Sequence, residues 1–468
     1  MLAFLAIYSI CLLSLLPRLS LWLDEILDLI GVRFYDLPRL IEYVPKNSGG
    51  VPLGYLVQVV SVRALGFSSF SGRLPSAIFS VLGAIGIVLL AKRLGLRWPA
   101  LALAVFCLFP LQFRYALEAR PYSQALAISI WTTLAFLRLR EEPTWPRSLL
   151  YWASITAGLY TQPYSVFVAI AHFAWVILLP ENATKKRLLA TAGAALFLAA
   201  LAFLPWYSYA HQFWRESIET SHFRSTIDLK TPLLILRELV GAGYPGALVI
   251  LAGACAGLLS NRPATPARGL GDFQTVLTKH RLAAGLSRNG RERLFWMLQL
   301  ACPVFLALLA DWIFGYFLAM RQMIFLLAPL AILFASGLEA LAARWRMPAT
   351  VYGCLSIAIL VYGDVHFFAR PREDWKAAAN VLANEVRQGR CTIFLPADSA
   401  RLYEFFDPDV SSHVCPSDLT TTRTIAMAIS PYESAAAQSD FEARLSGLGF
   451  SREVLVDNAV RVELYQRK

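Results

Sequence analysis

Residues 74–91 read Leu-Pro-Ser-Ala-Ile-Phe-Ser-Val-Leu-Gly-Ala-Ile-Gly-Ile-Val-Leu-Leu-Ala, and Lys92 and Arg93 follow directly. No ionisable side chain interrupts the run, which as a helix nearly covers the hydrocarbon thickness of a bilayer. An apolar stretch of that length closed by two cations is a membrane span that stops at a cytoplasmic loop. Comparable runs recur on both sides of it: Leu2 to Leu16, Ala100 to Phe113, Ser123 to Leu137, Leu149 to Thr161, Ser165 to Leu179, Leu188 to Trp206, Tyr244 to Ser260, Leu294 to Trp312, Met323 to Leu341 and Ala349 to Gly363. The reading is therefore about eleven spans, several of them short and completed by their flanks or by tilt.

The composition agrees: 57% of the 468 residues are hydrophobic and 16% charged, too apolar for an ordinary water-soluble globule. A net charge of +11 raises the possibility of nucleic acid, but the cations sit in short loops between apolar runs, which is topology rather than a binding face. Lys92, Arg93 and Arg97, then Arg138, Arg140 and Arg147, then Lys185, Lys186 and Arg187, then Arg344 and Arg346 fall on one side. The strongest basic block, in the loop 261–293, joins them in the cytoplasm. An odd number of spans then puts the chain beyond residue 366 outside. The first apolar run is followed by Pro17 and Arg18 with no small-residue cleavage site, so it reads as an uncleaved helix.

This divides the chain into a membrane domain, 1–366, and a soluble domain, 367–468. The first outside loop, 17–73, is long enough to be functional, and Pro52 to Leu65 within it reads as a helix lying along the interface. A second outside loop, Tyr207 to Pro232, carries His211 and His222, a weak metal signal without a third ligand. The soluble domain reads as a small α/β unit. A helix runs from Asp374 to about Gln388, strands occupy Cys391 to Pro396 and Thr424 to Ser430, and Phe441 to Leu448 forms a helix that Gly449 ends. A hairpin turning at Asp457-Asn458 closes it. Five cysteines lie in apolar runs as small hydrophobes; Cys391 and Cys415 in the tail could form a disulfide or stay as two thiols.

Ionisable residues at a membrane boundary are costly there, and three clusters share the outside boundary. Asp24 and Glu25 follow the first helix, where one carboxylate could serve as general base and the other as an orienting or metal-facing group, or both could simply stabilise a helix start. In Tyr115-Ala116-Leu117-Glu118-Ala119-Arg120-Pro121-Tyr122, the Arg120 guanidinium suits a phosphate and the tyrosines a sugar; an interfacial aromatic belt with a local ion pair is the plainer alternative. Arg73 and Arg321 open apolar runs, where either could also be a snorkelling anchor.

Together these clusters resemble the large integral-membrane glycosyltransferases of the GT-C fold, near the protein mannosyltransferase and lipid A aminoarabinose transferase group. Asp24-Glu25 resembles that family's first-loop acidic motif, and Val51-Pro52-Leu53-Gly54-Tyr55 its Pro-Pro-Leu-Tyr-Tyr segment. The run from Gly66 to Leu90 is similar to its Arg-Leu-Pro-Ser-Ala helix start, Glu118-x-Arg120-x-Tyr122 to its Glu-x-Arg-x-Tyr motif, and Arg321 to Leu341 to its late Arg-initiated helix. The stretch Asp374 to Ala379 is similar to the start of the soluble domain in many bacterial members. Two departures, Gly49-Gly50-Val51 before a single Pro52 and Gln162 where His is common, bear on the sugar or acceptor.

The resemblance implies a mainly α, polytopic GT-C bundle with a small α/β domain outside a bacterial inner membrane. It implies transfer of a sugar from a polyprenyl-phosphate donor to a glycan, lipid or protein acceptor, by an inverting reaction with Asp24 as base. Glu25 and Glu118 would orient the acceptor or hold a divalent cation. Arg120, Arg321, Arg73 and Lys46 would meet the donor phosphate, and Tyr55 and Tyr122 would line the substrate. The competing reading is a transporter or flippase for a lipid-linked glycan, which would favour charges near the bilayer midplane instead.

Overall fold

The computed structural model describes residues 1–47, 50–220, 230–260, 288–314, 318–369 and 373–467. The amino-terminal half is helical throughout: α1 (Leu2–Leu15), α2 (Leu23–Phe34), α3 (Leu37–Lys46), α4 (Pro52–Leu65), α5 (Ser69–Arg93), α6 (Pro99–Cys107), α7 (Pro110–Ala116) and α8 (Tyr122–Glu141). There follow α9 (Trp145–Thr161), α10 (Val166–Ile177), α11 (Ala183–Thr220), α12 (Thr231–Val240), α13 (Gly243–Leu259), α14 (Arg288–Phe314), α15 (Leu327–Arg344) and α16 (Arg346–Phe368). Proline sets many of the starts: it occupies the first turn of α3, α4, α6, α7, α9 and α12, where its missing N–H costs nothing.

All eleven expected apolar runs lie in helices, but the count of eleven spans goes beyond what the helices support. Among the described residues five helices are long and apolar enough to cross a membrane, or up to seven if each of two bent pairs is one span. The difference has a physical source, because α1 and α10 are too short to qualify and α6 with α7 turns through 68° at Leu108-Phe109 before Pro110. The expected loop from Tyr207 is also corrected, since α11 continues as helix through Thr220. His211 therefore sits on a helix, its ring stacked on Tyr207. His222 and most of the basic loop 261–293 lie outside the described residues.

α15, with the short 3₁₀ segment Met320–Leu326 before it, is the most enclosed of the spans, 83% of its apolar window being buried; α16, at 17%, is peripheral. α13 meets α15 backbone to backbone. A Cβ on Gly257 would stand 2.1 Å from the Leu333 carbonyl oxygen, and one on Gly337 would stand 2.0 Å from that of Gly253. Small residues that allow such approach are how helices associate in apolar surroundings, where burial of side chains supplies little drive.

The carboxyl-terminal part holds α17 (Trp375–Arg387), β1 (Cys391–Leu395), α18 (Ala400–Glu404), β2 (Thr424–Ile429), α19 (Ala435–Gly447), β3 (Phe450–Asp457) and β4 (Arg461–Arg467). The sheet order is β1-β2-β4-β3, with β1 and β2 parallel and the remaining pairs antiparallel. β2, buried on both faces, reads as an apolar run, whereas β3 is an edge strand on which Arg452 and Glu453 are exposed. α19 begins six residues before the expected start, because the Ser434 hydroxyl accepts the Ala437 N–H and caps it there. Cys391 and Cys415 are joined as a disulfide. Trp375 is fully buried and belongs to the same continuous core as the membrane helices, so this part packs on the bundle.

Candidate active site

The acidic segment and the Glu118–Tyr122 turn are brought together by α4 and α5. The bend before Pro110 directs α7 so that the turn joining it to α8 is reached from three sides. Glu25 Oε1 accepts the Ala119 N–H at 2.7 Å, Gln58 of α4 donates to the Ala119 carbonyl at 2.8 Å, and Ser76 of α5 donates to the Arg120 carbonyl at 3.0 Å. Gly54 makes the approach of α4 possible, since a Cβ there would stand 2.9 Å from Pro121 Cβ. The resemblance-bearing stretches Pro52 to Tyr55, Arg73 to Ala77 and Glu118 to Tyr122 therefore meet at one place.

Glu25 and Arg73 are both fully buried and bind each other twice, Nε to Oε1 at 2.7 Å and Nη2 to Oε2 at 2.6 Å. The remaining Arg73 donors reach the carbonyls of Leu16, Leu19 and Ser20. Each charge is compensated by the other, and the fork geometry of the guanidinium ties the end of α1 to the start of α2. Glu25, expected at the catalytic centre, and Arg73, expected at the donor phosphate, are thus placed against each other and against backbone groups.

Asp24 lies one residue, about 100° of helix, away from Glu25, with Asp28 one turn on from both. Arg120 serves both: Nη1 meets Asp28 Oδ2 at 2.9 Å and Nη2 meets Asp24 Oδ2 at 3.5 Å. Arg321 approaches the same Asp24 oxygen at 3.3 Å and gives its Nε–H to Tyr122 Oη at 3.1 Å. Asp28 is buried and also accepts from Tyr55 Oη at 2.8 Å and Asn47 Nδ2 at 2.9 Å. Burial pushes its carboxyl above the usual carboxylate range, while Arg120 and the Tyr55 hydroxyl pull it back. The Asp24 side chain is 21% exposed against 5% for Asp28 and 0% for Glu118, so it is the most exposed carboxylate of this group.

Glu118 accepts from Arg114 Nε at 2.8 Å, one helical turn before it. Lys46 does not join the cluster: its side chain is exposed, with the ammonium 5.4 Å from the Phe213 ring. Sequence reasoning missed Asp28, although Asp24 and Asp28 are four apart in a helical stretch. It also missed Arg114, four before Glu118, and it missed Asn47. Two more missed groups come from the carboxyl-terminal part. Glu373 Oε2 accepts the Leu23 N–H at 3.0 Å, capping α2 with a carboxylate at its positive end, and its other oxygen accepts from the Tyr432 hydroxyl. Burial and Glu373 push the Tyr432 phenol up. No spacing signal could have linked residues about 350 apart.

For a metal, the described residues contain no group of three or more His, Cys, Asp or Glu side chains. Around Asp24 and Asp28 guanidinium groups take the places a divalent cation would fill. These residues do not fit a metal in this arrangement.

Residues 49–209 match the family model described as dolichyl-phosphate-mannose-protein mannosyltransferase. No curated protein matches the sequence. Among solved structures, ArnT from Cupriavidus metallidurans matches in its apo state with a TM-score of 0.57 at 12% identity, covering 99% of this chain and 97% of that one. The same protein bound to undecaprenyl phosphate gives 0.58 at 14% identity over the same shares. The Archaeoglobus fulgidus oligosaccharyltransferase complex with zinc and sulfate gives 0.55 at 13% identity, over 91% of this chain and 67% of that one. The arabinofuranosyltransferase AftD from Mycobacteria also gives 0.55, at 15% identity, with 99% of this chain spanning 40% of it.

Proposed function

On the GT-C fold that these likenesses show, we propose that this integral membrane protein is a glycosyltransferase that moves a sugar from a polyprenyl-phosphate donor to an acceptor hydroxyl on the outer face of the membrane. The observation that carries the reading is Asp24, an accessible carboxylate held against Arg120 and Arg321. A base and a cationic receiver for the leaving group stand within one side chain's length of each other.

The chemistry follows from that pairing. Asp24 removes the acceptor hydroxyl proton, the acceptor oxygen bonds to the anomeric carbon, and the carbon–oxygen bond to phosphate breaks with its electron pair going to the phosphate. In-line displacement inverts the anomeric centre. Arg321 meets the charge that grows on the departing phosphate, and doing so removes one of the two guanidiniums that hold Asp24. Arg120 keeps Asp24 and Asp28 in place, Tyr55 and Asn47 hold Asp28, Tyr122 holds Arg321, and Glu25 with Arg73 fixes the start of α2. No step is routed through a metal.

An apolar cavity supports the polyprenyl part of this reading. A cavity of about 320 Å³ is lined by apolar side chains only, among them Leu233, Leu236, Leu251, Leu300, Leu326 and Leu330. Leu326 ends the 3₁₀ segment that begins at Met320, so the cavity starts one short element away from Arg321. ArnT bound to undecaprenyl phosphate, a polyprenyl phosphate on the same fold, supports this class of donor. The acceptor class is a glycan, a lipid or a protein. The deciding assay incubates the purified chain with a panel of polyprenyl-phosphate sugars and candidate acceptors and follows release of polyprenyl phosphate. Consumption of at least one donor is the expected result; no consumption, with movement of a lipid-linked glycan across reconstituted vesicles, would replace the enzyme with the transporter.

The reading also sets the outer domain, 367–468, in the periplasm of a bacterial inner membrane. The Cys391–Cys415 disulfide supports this, since such bonds persist in oxidising compartments. A reporter fused at Lys468 and active only in the cytoplasm is expected to stay silent, and activity there would reverse the topology.

A further inference from the structure

We propose that Arg114 is a second phosphate-binding residue, paired with Arg321 across two contacting tyrosines, so that the donor phosphate is gripped by these two guanidiniums rather than by Arg120. This deepens the donor reading above and rests on it.

The first ground is the state of each cation's donors. Arg120 is held by Asp28, Asp24 and the Asp24 carbonyl, and Arg73 by Glu25 and three carbonyls. Neither can turn to a ligand without leaving a buried carboxylate uncompensated. Arg114 is different. Its Nε is engaged by Glu118, and among the described residues its two amino groups meet rings rather than carboxylates or carbonyls: Trp22 at 5.3 Å, Tyr115 at 5.4 Å and Phe367 at 4.8 Å from the guanidinium carbon. Its side chain is 28% exposed and that of Arg321 34%.

The second ground is placement. The Tyr115 ring lies 4.4 Å from that of Tyr122, whose hydroxyl holds Arg321 Nε. The two tilted rings therefore have the Arg114 guanidinium over the Tyr115 face and Arg321 on the Tyr122 hydroxyl, while the Tyr122 face is covered by Arg120. Two guanidiniums on neighbouring tyrosines at a partly accessible site form a receptor for a phosphate that carries one charge in the donor diester and a second once the sugar leaves, bound through more than one guanidinium fork. Glu118, fully buried beneath, orients Arg114 through Nε and leaves the outward amino groups for phosphate oxygens.

The test compares the wild-type protein with Arg114→Gln and Arg114→Lys in binding polyprenyl monophosphate and the corresponding polyprenol, which lacks the phosphate. Arg114→Gln keeps a long polar stem but no charge, and it should bind the monophosphate about 10- to 150-fold more weakly, the value of a hydrogen bond to a charged group. Polyprenol binding should not change. Arg114→Lys should recover part of the loss, because charge remains without the planar fork; if Arg114→Gln does not fold, a monophosphate-specific weakening in Arg114→Lys carries the test. Unchanged monophosphate affinity in a folded variant, or equal loss for both lipids, overturns the inference while the donor reading stands. Failure of the wild type to bind monophosphate overturns both.

Discussion

Asp24→Asn is expected to lower the rate of sugar transfer by about 100- to 10,000-fold, the range associated with losing a positioned general base. The amide keeps the shape of the carboxylate but cannot take the acceptor's proton. The geometry adds a second, opposite expectation. In the wild type the Asp24 carboxylate draws Arg321 at 3.3 Å and Arg120 at 3.5 Å. Neutralising it releases Arg321 toward an incoming phosphate, so polyprenyl monophosphate should bind Asp24→Asn at least as tightly as the wild type. A catalytic loss with undiminished donor affinity separates a missing base from a damaged site. Wild-type turnover by Asp24→Asn, with donor confirmed bound, would move the base elsewhere, and Asp28→Asn in the same assay would show whether it moved one helical turn.

The second large effect falls on folding. Arg73→Ala leaves the Glu25 carboxylate without its cation at a position with no exposure and strips donors from the carbonyls of Leu16, Leu19 and Ser20. Breaking a buried pair by removing one partner costs about 3 to 5 kcal/mol. The expected result is loss of a monodisperse, heat-resistant protein in detergent, measured by size exclusion and thermal unfolding. Adding Glu25→Gln should restore only part of the loss, because it removes the uncompensated charge while the three carbonyls stay unpaired. A fully stable Arg73→Ala would show that the pair is not what holds α1 to α2.

The fold and the site were legible to different depths. Apolar runs such as Leu74 to Ala91, the helix-forming run from Asp374 and the strand at Thr424 announced helices and strands, because local period and propensity act over a few residues. How many helices cross the bilayer did not follow from the same signal, since Pro110 bends one expected span into two short helices and α1 stops after 14 residues. At the site, the sequence marked Asp24, Glu25, Glu118, Arg120 and Arg321 as one-sided charges. It did not separate Asp24 from Glu25, and helical periodicity would not have done so either, because Asp28 lies one turn from both. The partners themselves were out of reach: Glu25 meets Arg73 across 48 residues and Asp28 meets Arg120 across 92, distances over which only the finished packing decides who touches whom.

The outer domain grips α2 at both of its ends. Glu373 caps the first turn, and near the last turn Arg33 donates to the Phe405 carbonyl while its guanidinium lies among the rings of Phe34, Phe67 and Phe405. The helix that presents Asp24 and Asp28 is thus fastened to a part of the chain that contains none of the proposed chemistry. One consequence concerns evolution and engineering more than catalysis. Such an outer domain is not a detachable module. Exchanging it for that of another GT-C protein would replace the clasp together with the cargo, so a working chimera has to carry residues equivalent to Glu373, Tyr432 and Phe405, or redesign the surface of α2 that they hold.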